Sequence, residues 1–106
     1  MKRKKLTDKE IVKALKEHSD ILKNYKVKRI GLFGSFARGE QRENSDIDFL
    51  VEFEIPSFDN FMDLVFYLED LFGRKVELIT SGSLSPYIQP YIEKEVKWLE
   101  AELAIS

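Results

Sequence analysis

The 106-residue chain has no cysteine, one histidine, one tryptophan, three prolines and five glycines. Without cysteine there are no disulfides, thiolate metal centres or cysteine nucleophiles, and the composition fits a reducing interior. No stretch approaches the roughly 20 apolar residues of a membrane span. The basic opening MKRKK runs into Leu6-Thr7-Asp8-Lys9-Glu10 rather than an apolar segment, which excludes a secretory signal of the usual form. A cytoplasmic protein is expected. Charge of one sign is also lacking, because 17 basic and 19 acidic residues leave a net charge of -2. No bulk field draws the chain onto nucleic acid or a membrane, and direct contact with either is not expected. An anionic ligand has to be held locally.

What is present is one domain's worth of chain. With 43% hydrophobic and 34% charged residues, positions 1–106 read as a single domain near the lower end of the size at which a core supports itself. Residues 1–5 read as a flexible basic tail. Repeats, low-complexity segments and long linkers are missing.

Thr7 with Glu10 three residues later forms a capping box, and Ile11, Leu15, His18 and Leu22 follow at helical spacing, predicting a helix over about 8–23. In that row the lone histidine is a half-buried packing residue. Val27 to Phe33 reads as a strand, then come a Gly34-Ser35 turn, a short helix from Phe36 to about Arg38, and a polar loop over 39–45. Asp46 to Phe53 is a second strand, closed off by Pro56. Ser57 caps a helix carrying Phe61, Leu64, Val65, Leu68 and Phe72, which Gly73 ends. Lys75 to Thr80 is a third strand. Pro86 opens a last helix with apolar positions at Ile88, Tyr91, Ile92, Val96, Leu99 and Leu103, although Pro90 blurs its start. Tyr87 and Tyr91, four residues apart, are read as packing on the sheet or on a partner, and Trp98 as serving a protein interface. The expected class is α+β: a two-layer α/β sandwich with a small mixed three-stranded sheet and about four helices.

Side chains alternate along a strand, so Asp46 and Asp48 share one face and Ile47, Phe49 and Val51 the other. Their Cα atoms lie roughly 6.6 Å apart, close enough for both carboxylates to reach one ion. Mg²⁺ suits them, since it takes one or two carboxylates together with waters and phosphates. Taken alone, the pair is better explained by a loop-capping Asp46 and an Asp48 at a solvated sheet edge. The neighbouring turn alters that balance. Gly34-Ser35 follows an apolar strand and opens a helix, where free N–H groups, the close approach glycine allows and a serine hydroxyl can receive a phosphate. Glu77, between apolar Val76 and Leu78, either faces solvent or joins the aspartates if the third strand neighbours the second. There it would bind a second metal or accept a proton from an attacking hydroxyl. Arg38 is a candidate phosphate contact, and equally a surface salt-bridge partner.

The segment GLFGSFARGEQRENSDIDFLVEF, with ten residues between Ser35 and Asp46, resembles the signature of the minimal nucleotidyltransferases of the DNA polymerase β-like superfamily. The resemblance extends through GRKVELIT at 73–80 and SLSPYIQPYIEKEV at 83–96. It implies a nucleotidyltransferase fold binding ATP and Mg²⁺, with two ions expected. Its catalytic and metal-binding carboxylates fall on Asp46, Asp48 and Glu77, and its nucleotide-binding residues on Gly34, Ser35 and Arg38. Two positions depart from the pattern: Glu77 stands where relatives commonly have aspartate, and Phe36 where many have arginine.

Family members of this size act beside a HEPN-domain ribonuclease toxin, which implies an antitoxin within a hetero-oligomer. The resemblance further implies transfer of AMP from ATP to a tyrosine hydroxyl of that toxin. The size of the chain agrees with an acceptor brought by a folded partner, since little surface is left for a separate recognition module. The alternative is a non-catalytic antitoxin that binds and masks its toxin, which the glutamate at 77 favours.

Overall fold

A computed structural model describes residues 6–99. The expected basic tail and Leu103 lie outside the described residues.

The first helix, α1, covers Asp8–Glu17 and starts as its capping box dictates, with the Glu10 N–H donating to Thr7 Oγ1 (3.2 Å) and the Thr7 N–H to Glu10 Oε1 (3.1 Å). The single helix expected over 8–23 is divided at His18, whose backbone leaves the helical region (φ -112°, ψ 23°), and α2 follows over Ser19–Asn24. Tertiary contact accompanies the break: the half-buried His18 ring meets Tyr67 edge-on at 6.1 Å. Ile11, Leu15 and Leu22 stay in the core on either side of it, so the apolar row survives although the helix does not.

Strand β1 is Val27–Phe33, α3 is Ser35–Arg38, and β2 is Ile47–Phe53. Helix α4, Phe58–Phe72, has its Ser57 cap accepting the Asn60 N–H at 3.0 Å, and it ends at Gly73 in the left-handed conformation (φ 63°). Strand β3 is Val76–Thr80, followed by a 3₁₀ turn over Ser81–Ser83, α5 over Gln89–Glu95 and β4 over Lys97–Trp98.

The sheet order is β3-β2-β1-β4. β1 pairs antiparallel with β2 and with β4, whereas β2 and β3 run parallel. The sheet is mixed, as expected, but among the described residues it has four strands rather than three, and five α-helices rather than four. The fourth strand comes from the segment read as the far end of the last helix. That helix stops at Glu95 because Val96 turns extended (φ -66°, ψ 136°), and Lys97 and Trp98 then pair with Leu32 and Gly31. Gly31 permits this. A Cβ there would lie 2.6 Å from Val96 Cγ2 and 2.9 Å from Trp98 Cε3, so only a glycine lets the segment close on the β1 edge.

One face of the sheet carries the core. Ile30, Leu32, Ile47, Phe49 and Val51 pack there with Ile11, Leu15, Leu22, Leu64 and Leu68 from the helices, which makes the expected two layers. The alternation read for β2 holds, so Asp48 and Glu52 lie on the opposite face. Tyr87 and Tyr91 do not pack on the sheet. They are 86% and 77% exposed: Tyr87 precedes α5, which starts only at Gln89, and Tyr91 lies on its exposed side. Trp98 is half-buried, with the Arg29 guanidinium 3.9 Å over its ring. No helix among the described residues is long and apolar enough to cross a membrane.

Candidate functional site: a glycine-serine turn beside paired carboxylates

Four local pieces meet at one end of the β1–β2 pair. The first is the turn that follows β1. Gly34 has φ 77° and ψ -154°, a conformation open essentially to glycine alone, and a Cβ on it would overlap Oδ2 of Asp48. The missing side chain is what lets the Asp48 carboxylate lie against the turn. Ser35 then opens the single-turn helix α3, and the Arg38 N–H closes it onto the Gly34 carbonyl at 3.1 Å.

The second piece is the mouth of β2. Asp46 is exposed just before the strand, and Asp48 is half-buried within it, on the face away from the core. Arg74 holds the loop that delivers them: its Nη1 donates to the Glu43 and Ser45 carbonyls, both at 3.0 Å. The sequence did not single out this arginine, and its signal is only its place directly after the Gly73 that ends α4.

The third piece is β3, where the parallel register sets Glu77 directly beside Asp48. Of the two readings left open for Glu77, the neighbouring-strand condition is met, and the residue is also exposed. Burial, then the hydrogen bond and charge of Glu77, then the charge of Asp46, push the Asp48 pKa up from 3.8 to about 6, while the Arg38 charge opposes them. The carboxylates are thus a local excess of negative charge that favours a cation.

The fourth piece is Arg38, exposed at the end of α3. Its Nη1 lies 2.7 Å from Glu95 Oε1 and its Nε 2.9 Å from Glu40 Oε1. The salt-bridge reading therefore holds for it, and its charge is nonetheless felt at Asp48. Glu95 is the acidic residue missed by sequence reasoning: its Oε2 accepts the Gly34 N–H at 2.8 Å. Partial burial works to raise the Glu95 pKa, but Arg38 and the Gly34 N–H together hold it below the ordinary value. Phe36 is only 1% exposed and belongs to the core beneath the turn.

The donor set fits Mg²⁺ rather than a metal that demands a closed protein cage. Among the described residues no cluster of three or more histidine, cysteine, aspartate or glutamate side chains converges as a ready-made metal site. An open pair of carboxylates beside an anion-receptive turn is what a magnesium ion completed by waters and phosphates requires. Asp46, Arg38 and Glu77 are all exposed, so the arrangement presents itself to solvent as an open shelf. An acceptor group carried on a large molecule can reach such a shelf.

Comparison with known proteins agrees with this geometry. The model of the family described as "Nucleotidyltransferase domain" matches residues 9–99. The chain is 51% identical over 92 residues to the Methanocaldococcus jannaschii protein MJ1379, covering 82% of this chain and 92% of that one. It is 42% identical over 96 residues to the protein adenylyltransferase MntA of Thermococcus cleftensis, covering 89% and 97% of the two. Among solved structures, a toxin-antitoxin complex with AMP-PNP contains a chain of similar fold, with TM-score 0.66, 25% identity, and coverage of 94% of this chain and 82% of that one. A complex of the tri-AMPylated Shewanella oneidensis HEPN toxin with MNT antitoxin aligns with TM-score 0.60 at 19% identity, covering 89% and 81%, a likeness of fold.

Proposed function

Since the chain belongs to the nucleotidyltransferase domain family and is a nucleotidyltransferase, we propose that it is the antitoxin of a toxin-antitoxin pair and transfers AMP from ATP to a tyrosine hydroxyl of a HEPN ribonuclease toxin. The observation that carries the reading is the lateral pairing of Asp48 with Glu77 beside the Gly34-Ser35 turn, which sets a cation-demanding group against an anion-receptive one. The likeness to a chain of a toxin-antitoxin complex with AMP-PNP supports both the adenine nucleotide and a partner of that class.

In this reaction the acceptor oxygen forms a bond to the α-phosphorus, the bond from that phosphorus to the bridging oxygen of the β-phosphate breaks, and pyrophosphate departs. Asp46 and Asp48 would hold Mg²⁺, which when bound offsets the negative charge of the triphosphate, and Glu77 would help hold a second ion. The Gly34-Ser35 turn receives phosphate oxygens through the Ser35 N–H and hydroxyl, and Arg38 balances charge on the departing pyrophosphate. Glu77 is the nearest exposed carboxylate to Asp48 on the neighbouring strand and takes the proton of the attacking hydroxyl. A protein acceptor agrees with the open shelf, since Asp46, Arg38 and Glu77 are all exposed.

The test is incubation with labelled ATP, Mg²⁺ and the partner toxin, followed by intact-mass measurement of the toxin. A mass gain of one or more AMP units that disappears with Asp48→Asn is expected. Equal toxin binding and inhibition by both forms, with no mass gain, would replace this reading with that of a masking antitoxin.

A further inference from the structure

Glu95 closes α5, yet its carboxylate is bonded to two groups 61 and 57 residues earlier in the chain, the Gly34 N–H and the Arg38 guanidinium. The antiparallel register that pairs Gly31 with Trp98 and Leu32 with Lys97 continues to place Glu95 opposite Gly34. By that point β4 has given way to α5, so no strand carbonyl is there to receive the Gly34 N–H. The Glu95 side chain supplies the acceptor instead, and an unpaired N–H at the end of β1 is avoided.

The two carboxylate oxygens divide the work. Oε2 takes the N–H of the turn at 2.8 Å, and Oε1 takes Arg38 Nη1 at 2.7 Å, so one planar group sets the distance between turn and arginine. Glu40 holds the guanidinium through Nε at 2.9 Å. A guanidinium has five N–H donors, and these bonds use two of them, which leaves a face of Arg38 for an anion. The Ser35 N–H and hydroxyl are separate donors in the same turn. Glu95 therefore takes up the Gly34 N–H and one Arg38 donor, and braces a turn in which the Ser35 groups and the other Arg38 donors are left for an anion.

We propose that Glu95 is a positioning residue for nucleotide binding: by gripping the Gly34 N–H and Arg38 together, it presents the triphosphate with a turn and an arginine already in place. Preorganisation lowers the ordering cost of binding, so its loss weakens the nucleotide complex more than the transfer step that follows. The proposal rests on the reading of Gly34, Ser35 and Arg38 as the phosphate side of a nucleotidyltransferase site.

The test compares wild type with Glu95→Ala, Glu95→Gln, Arg38→Ala and the Glu95→Ala/Arg38→Ala double variant. Three readouts are KM for ATP and kcat in toxin modification, the melting temperature, and the exchange of the Gly34 N–H, the group Glu95 accepts, with solvent measured by NMR without nucleotide. Glu95→Ala is expected to raise KM roughly tenfold with a smaller change in kcat, and to speed Gly34 N–H exchange. Glu95→Gln keeps one acceptor oxygen and should fall between the two. In the Arg38→Ala background the Glu95→Ala effect should largely vanish, because coupled residues do not act additively. Unchanged KM and exchange in a folded Glu95→Ala protein would overturn the proposal, as would full additivity of the two substitutions. A lower KM in either Glu95 variant would also overturn it, making the carboxylate a competitor of phosphate. If Glu95→Ala does not fold, Glu95→Gln alone decides by the same KM and exchange criteria. Wild-type protein that transfers no nucleotide would instead remove the functional reading beneath the proposal.

Discussion

Asp48 and Glu77 occupy directly paired positions on the parallel strands β2 and β3, on the sheet face opposite the core. Burial and the two neighbouring carboxylates raise the Asp48 pKa from 3.8 to about 6, so its ionisation works against folding when no cation is bound. The folded-state value lies above the unfolded one: the penalty is absent below about pH 4, grows between about pH 4 and 6, and is complete above about pH 6. Asp48→Asn should therefore raise the melting temperature at pH 7.5 in the absence of divalent ions. A gain of about 1 kcal/mol is expected once solvent screening of a half-buried group is allowed for, and it should vanish near pH 4. Mg²⁺ should stabilise wild type at pH 7.5, do so much less at pH 5 where protons compete, and leave Asp48→Asn nearly unmoved. Calorimetry across that pH series, with and without Mg²⁺, measures all three.

The three carboxylates should separate by role in transfer. Asp46→Asn and Asp48→Asn are each expected to lower toxin modification at least about 100-fold while binding to the toxin persists. Glu77→Gln should lower kcat with little change in KM, and its loss should be smaller at high pH, where the attacking hydroxyl ionises more readily. A pH–rate profile for Glu77→Gln that parallels wild type would remove Glu77 as the proton acceptor and leave it as a metal ligand.

Gly34→Ala should disable the site through geometry alone. The methyl group would occupy the space of the Asp48 carboxylate, and φ at 77° with ψ at -154° is strained for any side chain. A stability loss of about 1–3 kcal/mol in urea titration is expected, together with loss of detectable ATP binding. Retained nucleotide affinity would mean that the turn is not the phosphate seat.

The β4 contact is open to a separate test. Gly31→Val would drive a branched side chain into Val96 and Trp98, destabilising the protein by about 1–3 kcal/mol and exposing residues 97–99 to amide exchange. Because Glu95 reaches Gly34 only while this segment is docked, nucleotide affinity should fall with it. Stability lost without any change in affinity would detach the C-terminal segment from the site.

Much of this protein follows from local rules that act over three or four residues. The Thr7–Glu10 box, the Ser57 cap and the Gly73 stop place α1 and α4, because capping satisfies backbone groups from within the same turn. The alternation through Ile47, Asp48 and Phe49 assigns the carboxylate to the face away from the core, because strand side chains repeat every two residues. The spacing of Gly34-Ser35 from Asp46 and Asp48 carries the family resemblance, so the two aspartates of the candidate site are legible in the sequence. What the tertiary structure alone decided depends on residues far apart in the chain. The segment 96–98 is extended rather than helical because Gly31, some 65 residues earlier, leaves room for it at the β1 edge. Glu77 meets Asp48 because β3 runs parallel to β2, and strand order is a property of the assembled sheet rather than of either strand. Glu95 looks like any acidic helix residue in sequence, and only closure of the sheet brings its carboxylate to Gly34 and Arg38. Periodicity and capping are short-range, so the sequence determined the capped helix ends, the apolar rows and the faces of the strand side chains. Which elements become neighbours was settled by burial and strand pairing across the whole chain.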